Sequence, residues 1–312
     1  MSEAWLHEVR VVALREEALG VVSCELRASA SGLPPCPPGA HVDVHLPNGL
    51  VRQYSVVEAG PDHYLIAVKR EAQSRGGSAY VADALRLGTR LRVGAPRDNF
   101  PLVPHAGRTV LIAGGIGITA LLPMARRLQA EGRDWRLHYA VRHAEDAAFA
   151  EALRAFGDQL RLHVSAAVGH RLVLADVVAQ QPVGTHFYCC GPATMLDDFQ
   201  RATAALPPQQ VHFERFSAAP MEAGEGFTVR LARSGRCIPV AADQSIVDAL
   251  SAAGIDAPYS CQQGICGSCE VKVLAGTPEH RDEVLTEAEK AGNATMMICC
   301  SRARTPELVL DL

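Results

Sequence analysis

A chain of 312 residues has room for two or three domains, each with its own core. Its 48% hydrophobic and 21% charged residues are an ordinary globular balance, and a net charge of −4 leaves no footprint for nucleic acid or an anionic membrane. The segment Met1–Arg10 carries Glu3, His7, Glu8 and Arg10 and no apolar h-region, which argues against a signal peptide. The uncharged apolar run Thr109–Ala125 is shorter than the ~20 residues of a spanning helix and is broken by Gly114, Gly115, Gly117 and Pro123. The expectation is a cytoplasmic protein in which ten cysteines serve metal binding more than disulfides.

Short β-branched segments fill the first hundred residues: Val9–Ala13, Val21–Leu26, His41–Leu46, Val51–Val57, Tyr64–Lys69 and Thr89–Val93, with a short helix over Ser78–Leu85. Turns rich in Gly and Pro separate them, as in a small antiparallel barrel. His41 and His45 share one face of their strand, expected to be a solvated or edge face. At Thr109 the texture changes. Thr109–Ala113 is a continuous apolar run, as a buried parallel strand requires. A helix over Ala120–Ala130 follows, with Thr119 as N-cap and Gly132 past its end. Strands over Trp135–Val141, Leu160–Ala166 and Thr185–Cys189 and a helix over Asp146–Phe156 complete an α/β nucleotide-binding pattern. Ser217–Gly226 reads as a linker. Beyond it come a hairpin, Phe227–Leu231 and Cys237–Val240 around Gly235, and a helix over Ser245–Ala253. The expected domains are residues 1–103, 104–216 and 227–312, joined by the linker 217–226.

The strongest motif is Cys261, Cys266, Cys269 and Cys299, the C-x4-C-x2-C plus distant cysteine of a plant-type [2Fe–2S] site. Three thiolates wrap the cluster from one loop, Gly264 and Gly267 let that loop close in, and a distant strand is expected to supply the fourth. Adjacent strand residues point to opposite faces, so only one of Cys299 and Cys300 can face the cluster; the spacing selects Cys299. Cys24, Cys36 and Cys237 stand alone and read as structural.

Gly114, Gly115 and Gly117 follow a buried strand and open a helix, where a pyrophosphate sits on helix amides. Cys190, Gly191 and Pro192 follow another strand, at the sheet end where ligands bind. Arg52, Gln53, Tyr54 and Ser55 lie on a barrel strand, with Arg52 and Tyr54 on one face. An arginine can fork onto phosphate, a tyrosine can lie along an isoalloxazine and a serine can hydrogen-bond the ring. Gly76, Gly77 and Ser78 precede a helix as a second phosphate cradle. A flavin is needed because a hydride brings two electrons and the cluster accepts one.

Together these segments resemble the phthalate dioxygenase reductase family, relatives of ferredoxin–NADP reductase with a C-terminal ferredoxin domain. The matching residues are Arg52, Tyr54 and Ser55; Gly76 to Ser78; Gly114 to Thr119 (GGIGIT); Cys190 to Pro192; His212 to Phe216 (HFERF); Cys261 to Cys269; His280 to Asp282; and Met296 to Ala303 (MMICCSRA). The resemblance implies an antiparallel flavin barrel, a Rossmann-like α/β domain and a β-grasp ferredoxin domain. It also implies FMN rather than FAD, NADH as donor, a Rieske-type oxygenase as recipient, and Phe216 near the flavin. Ala120 stands where the family often has proline, Asp98 interrupts its P-R-N segment, and Cys300 replaces an aliphatic residue.

On this basis NADH lies over Gly114, Gly115, Gly117 and Thr119 with its nicotinamide near Cys190, Gly191 and Pro192. Ser55 faces the flavin nitrogen that takes the hydride. A drop of about 250 mV from a plant-type cluster to a Rieske centre favours delivery by about 10⁴. The rivals are a stand-alone flavin reductase or diaphorase, marked by fast dye reduction, and a redox sensor, which needs no nicotinamide site. A haem oxygenase is the alternative recipient.

Overall fold

The structure, a computed structural model, describes residues 6–30, 32–72, 74, 76–216, 224–259 and 261–312; most of the expected linker, residues 217–223, lies outside them. The chain divides into two compact units at Phe216/Ser217. Among the described residues no helix is long and apolar enough to cross a membrane.

The first unit begins with β1 (His7–Ala18), β2 (Val21–Ala28), β3 (His41–His45), β4 (Val51–Ala59), β5 (His63–Lys69) and β6 (Arg90–Val93). They close into a barrel in the order β1-β2-β5-β4-β3-β6, with β1 also pairing β6. Alternation builds its core: Val9 and Val11 are buried between exposed Glu8 and Arg10, and Leu26, Val42 and Tyr64 fill the centre. The Tyr64 hydroxyl donates to the Pro34 carbonyl, so a buried phenol is satisfied. Helix α1 (Gly77–Ala79) runs on as a π turn, Tyr80–Ala84, between β5 and β6. The two histidines of β3 are not solvated: His41 is buried and His45 half-buried.

Next come β7 (Arg108–Gly114), α2 (Ile118–Ala130), β8 (Asp134–Val141), α3 (Ala150–Arg154), β9 (Leu160–Val164), α4 (Ser165–Val168), α5 (Leu174–Ala179), β10 (Thr185–Cys190), α6 (Ala193–Thr203) and β11 (Val211–Glu214). Their sheet is parallel, in the order β11-β10-β7-β8-β9. Central β7 is buried along nearly its whole length, which is why its sequence does not alternate. Three expectations need correcting. Helix α2 starts one residue before Thr119, whose hydroxyl donates to the Ile116 carbonyl at 2.9 Å, so Gly117 holds the cap position. The helix expected over Asp146–Phe156 shrinks to α3. Ala147, Ala148 and Phe149 are buried instead, the Ala148 N–H is taken by the Tyr139 hydroxyl, and Phe149 turns left-handed at φ 60°. The strand expected to reach Ala166 ends at Val164 and turns into α4.

The second unit contains β12 (Phe227–Leu231), β13 (Cys237–Val240), α7 (Ile246–Ala252), β14 (Glu270–Ala275), β15 (Pro278–Glu279), α8 (Glu287–Gly292), β16 (Thr295–Met297), β17 (Arg302–Ala303) and β18 (Glu307–Leu310). Its main sheet runs β13-β12-β18-β14-β16, with β15 and β17 as a separate pair. The β12–β13 hairpin turns through Gly235, and Ser245 caps α7 by accepting the Asp248 N–H at 3.0 Å. Ile246, Val247 and Leu250 of α7 share one core with Val229, Leu231, Leu308 and Leu310, the helix-on-sheet arrangement of a β-grasp domain. Buried Arg302 ties this unit together by donating to the carbonyls of Gln244, Glu225 and Ala241. Of the solitary cysteines, Cys24 is buried and Cys36 half-buried, whereas Cys237 is exposed.

Candidate functional site

On the barrel, β4 carries Arg52, Gln53, Tyr54 and Ser55, the first three half-buried and Ser55 buried. Its antiparallel register with β3 sets Ser55 opposite His41 and Gln53 opposite Asp43. Tyr54 packs against the barrel core. The Arg52 side chain lies across Gly77. A Cβ on Gly77 would stand 2.6 Å from Arg52 Cγ and 2.7 Å from Nε. Two motifs 25 positions apart, the strand arginine and the glycine loop, therefore form one cradle whose dimensions depend on a missing side chain. Ser74 completes the loop: its hydroxyl accepts the N–H groups of Gly76 and Ala79 and the Ser78 hydroxyl.

Behind Ser55 sits a polar cluster that single motifs do not reveal. Buried Asp43 receives Arg97 in a forked pair at 2.6 and 2.8 Å and the Gln53 amide at 2.5 Å. His41 Nδ1 lies 3.8 Å from Glu214 Oε1. Burial pushes Glu214 up to about 8, helped by Asp98, so its carboxyl is protonated at neutral pH. Burial and the Arg97 guanidinium push His41 down to about 4 against the opposing pull of Asp43, so this ring is neutral too. Glu214 pairs in register with Cys190, whose fully buried thiol is raised first by burial and then by Glu214.

The two segments expected to hold the nicotinamide nucleotide meet backbone to backbone. A Cβ on Gly117 would stand 2.1 Å from the Cys190 carbonyl oxygen, so only glycine lets the start of α2 press against the Cys190–Gly191 turn. Beside this contact opens a cleft of about 720 Å³ lined by Gly114, Gly115, Ile116, Pro192, Thr194 and Met195, and continuing past the carboxyl ends of β8 and β9. Cys190 itself is buried beneath the surface, Thr119 is turned onto the backbone, and Phe216 packs half-buried against the core of the nucleotide layer.

In the second unit Cys261, Cys266, Cys269 and Cys299 are all buried. The sulfurs of Cys261 and Cys266, Cys261 and Cys299, and Cys269 and Cys299 lie in mutual hydrogen-bonding contact. Backbone amides point at them: Gln263 N–H to Cys261 Sγ at 3.2 Å, and Gly264 N–H to Cys299 Sγ at 3.3 Å. Mutual hydrogen bonds among these sulfurs lower the Cys266 and Cys299 thiols and raise those of Cys261 and Cys269, so the four titrate together as one set. Four converging buried sulfurs with amides aimed at them fit a [2Fe–2S] cluster. Cys299 does not come from a strand: β16 ends at Met297, and Ile298–Cys300 form a turn. Both sulfurs are buried, with Cys300 hydrogen-bonded to Cys299 and lodged where a Gly264 side chain would be, 2.4 Å from its Cβ position. Only left-handed Gly264, at φ 68°, leaves that room.

Comparison with known proteins agrees with this arrangement. Residues 229–304 match the family of the 2Fe-2S iron-sulfur cluster binding domain. The chain is 48% identical to phenoxybenzoate dioxygenase subunit beta of Ectopseudomonas oleovorans, over 97% of each chain. Its structure resembles phthalate dioxygenase reductase, described as a modular structure for electron transfer from pyridine nucleotides to [2Fe–2S], with a TM-score of 0.77 and 37% identity over 99% of both chains. An intact type IV self-sufficient cytochrome P450 monooxygenase matches at a TM-score of 0.86 and 40% identity, over 98% of this chain and 41% of that one. With barrel, parallel sheet and cluster unit in the same order over the full length, this chain belongs to the phthalate dioxygenase reductase family.

Proposed function

We propose that this chain is the cytoplasmic reductase component of an oxygenase or demethylase system, taking electrons from NADH and delivering them singly to a terminal Rieske-type oxygenase. The observation that carries this is the junction at Gly117 and Cys190, which builds a nucleotide cleft in the same chain as four convergent cysteine sulfurs. FMN, when bound, converts a two-electron hydride into single electrons that the [2Fe–2S] cluster can carry.

The residues divide the remaining work. Arg52 and the Gly76–Ser78 loop form the phosphate cradle for FMN. Ser55, with Gln53 and Tyr54, gives the flavin a hydrogen-bonding edge at the barrel wall. Gly114, Gly115 and Pro192 leave space for the nicotinamide nucleotide, and Gly117 and Gly191 bring the two loops together. Cys190 acts by position: its raised thiol stays protonated and packs beneath the nicotinamide floor. Glu214 and His41, both neutral near pH 7, add no charge of their own beside Cys190, where the Asp43–Arg97 pair is self-compensated. Transfer then depends on proximity and exclusion of water, with no acid–base residue required. Cys261, Cys266, Cys269 and Cys299 hold the cluster, and the amides of Gln263 and Gly264 stabilise its sulfur charge.

An anaerobic NADH titration of the purified protein, followed by visible absorbance and low-temperature electron spin resonance, tests the assignment. Flavin bleaching together with a rhombic signal from one reduced [2Fe–2S] is expected. Bleaching that leaves the cluster oxidised would favour the diaphorase. A haem oxygenase is the second reading of the recipient, favoured by the cytochrome P450 chain that contains a region similar to this whole protein.

A further inference from the structure

We propose that the far end of the nucleotide cleft is a 2′-phosphate subsite, so that NADPH serves this reductase at least as well as NADH. The proposal rests on the cleft being the nicotinamide nucleotide site.

In sheets of this topology the pyrophosphate lies at the loop after the first strand, and the adenosine ribose reaches the end of the next one. A carboxylate there takes a free 2′-hydroxyl, whereas an arginine takes a 2′-phosphate. Here the cleft runs from Gly114 and Gly115 to Arg142, His163, Ser165 and Arg171. Arg142 follows β8 directly and Ser165 follows β9 directly. The two strands pair up to Val141 and Val164, and the Ala166 N–H donates to the Arg142 carbonyl at 2.9 Å, so Arg142 and Ser165 are neighbours across one edge. Arg171 enters from the loop before α5, with its side chain exposed.

Acids are scarce there. Asp146 is the one carboxylate among the described residues lining this end, and its Oδ2 accepts the His143 N–H at 2.9 Å as a local cap. The other acid lining the cleft, Asp198, is near Thr194 and Met195 and is ion-paired with Arg201. Two guanidinium groups thus face one carboxylate already engaged by the backbone. Guanidinium forks match phosphate oxygens, and Ser165 beside Arg142, its hydroxyl donating to the Val141 carbonyl at 3.3 Å, brings no negative charge. The position at which a carboxylate would select the 2′-hydroxyl, directly after β8, holds arginine, and the position directly after the neighbouring β9 holds serine.

The test is rapid reduction of the purified, FMN-loaded protein by each nucleotide, with inhibition by 2′,5′-ADP and 5′-AMP alongside. The expected ratio of kcat/KM for NADPH over NADH is one or more, with 2′,5′-ADP the tighter inhibitor. Arg142→Ala and Arg171→Ala should each lower that ratio about 5- to 10-fold, and Ser165→Asp should lower it at least as much. A wild-type preference for NADH above about 10-fold, or equal inhibition by the two adenosine phosphates, overturns the proposal. Failure of both nucleotides to bleach the flavin instead removes the nicotinamide assignment beneath it.

Discussion

Replacing Gly77 by alanine separates flavin affinity from stability. The new Cβ would come within 2.6 Å of Arg52 Cγ and 2.7 Å of Nε, so the two side chains cannot keep their places. Gly77 has no positive φ, and alanine gains about 0.5–1 kcal/mol over glycine within a helix, so the backbone accepts the change. Arg52 is the flexible partner and swings aside. What is lost is one charge-assisted contact to phosphate, about 1.5–3 kcal/mol, which is roughly 10- to 150-fold in Kd. Fluorescence-quenching titrations of the apoprotein with FMN and with riboflavin read this directly. FMN should weaken by that factor, riboflavin should change less than about 2-fold, and Tm should stay within about 3 °C. Unchanged FMN affinity, or equal weakening of riboflavin, would refute the phosphate cradle.

Stability should carry the signature of Glu214. Its carboxyl, near 8 in the fold against 4.5 unfolded, is protonated in the native state and ionised in the unfolded one across that window, so stability falls as pH rises. His41, near 4 against 6.5, contributes the opposite slope below pH 6.5 and none above it. Between pH 6.5 and 8 the fall should approach about 1.4 kcal/mol per pH unit, and Glu214→Gln should flatten it in urea unfolding; parallel curves would refute the buried acid. Cys299→Ala should abolish the cluster's visible absorption, while Cys300→Ala should retain it with a shifted midpoint potential; the reverse result would exchange the two roles. Gly117→Ala places a Cβ 2.1 Å from a backbone oxygen that cannot rotate away, and should cost about 1–3 kcal/mol or more, read as a lowered Tm.

How far the sequence could be read depended on whether the needed residues lie close together along it. Cys261, Cys266 and Cys269 share one loop, so their spacing announces the cluster, and the buried run of β7 announces the parallel sheet. Arg52 and Gly77 were each visible, but their contact was not, because it depends on how the barrel carries α1 past β4. His41, Asp43, Arg97 and Glu214 come from segments up to 173 positions apart, and the β3–β4 and β10–β11 registers and an isolated bridge between His41 and Arg97 bring them together. Of these Glu214 left a trace inside HFERF, His41 showed only as one of a histidine pair on a face expected to be solvated, and in the P-R-D-N segment Asp98 stood out in place of Arg97. Helix α6 had a readable stripe, Leu196, Phe199 and Thr203 buried at helical spacing, and was passed over. The break before α3 was not readable, since three apolar residues in a row suit a helix until Tyr139 claims the Ala148 amide.

The last strand, β18, lies at the middle of its sheet, between β12 and β14. A ribosome adding ~5–20 residues per second must make some 90 residues beyond Phe216 before that strand exists, a delay of roughly 5–20 s. All the strands of the first unit have been made before the delay begins. Biogenesis is therefore ordered in time: the unit with the flavin cradle can close and take its cofactor during synthesis, while iron–sulfur delivery must wait until β18 has been made. Ribosomes stalled far enough past Phe216 for the first unit to clear the exit tunnel, but short of Glu307, are expected to carry nascent chains that hold flavin and no cluster.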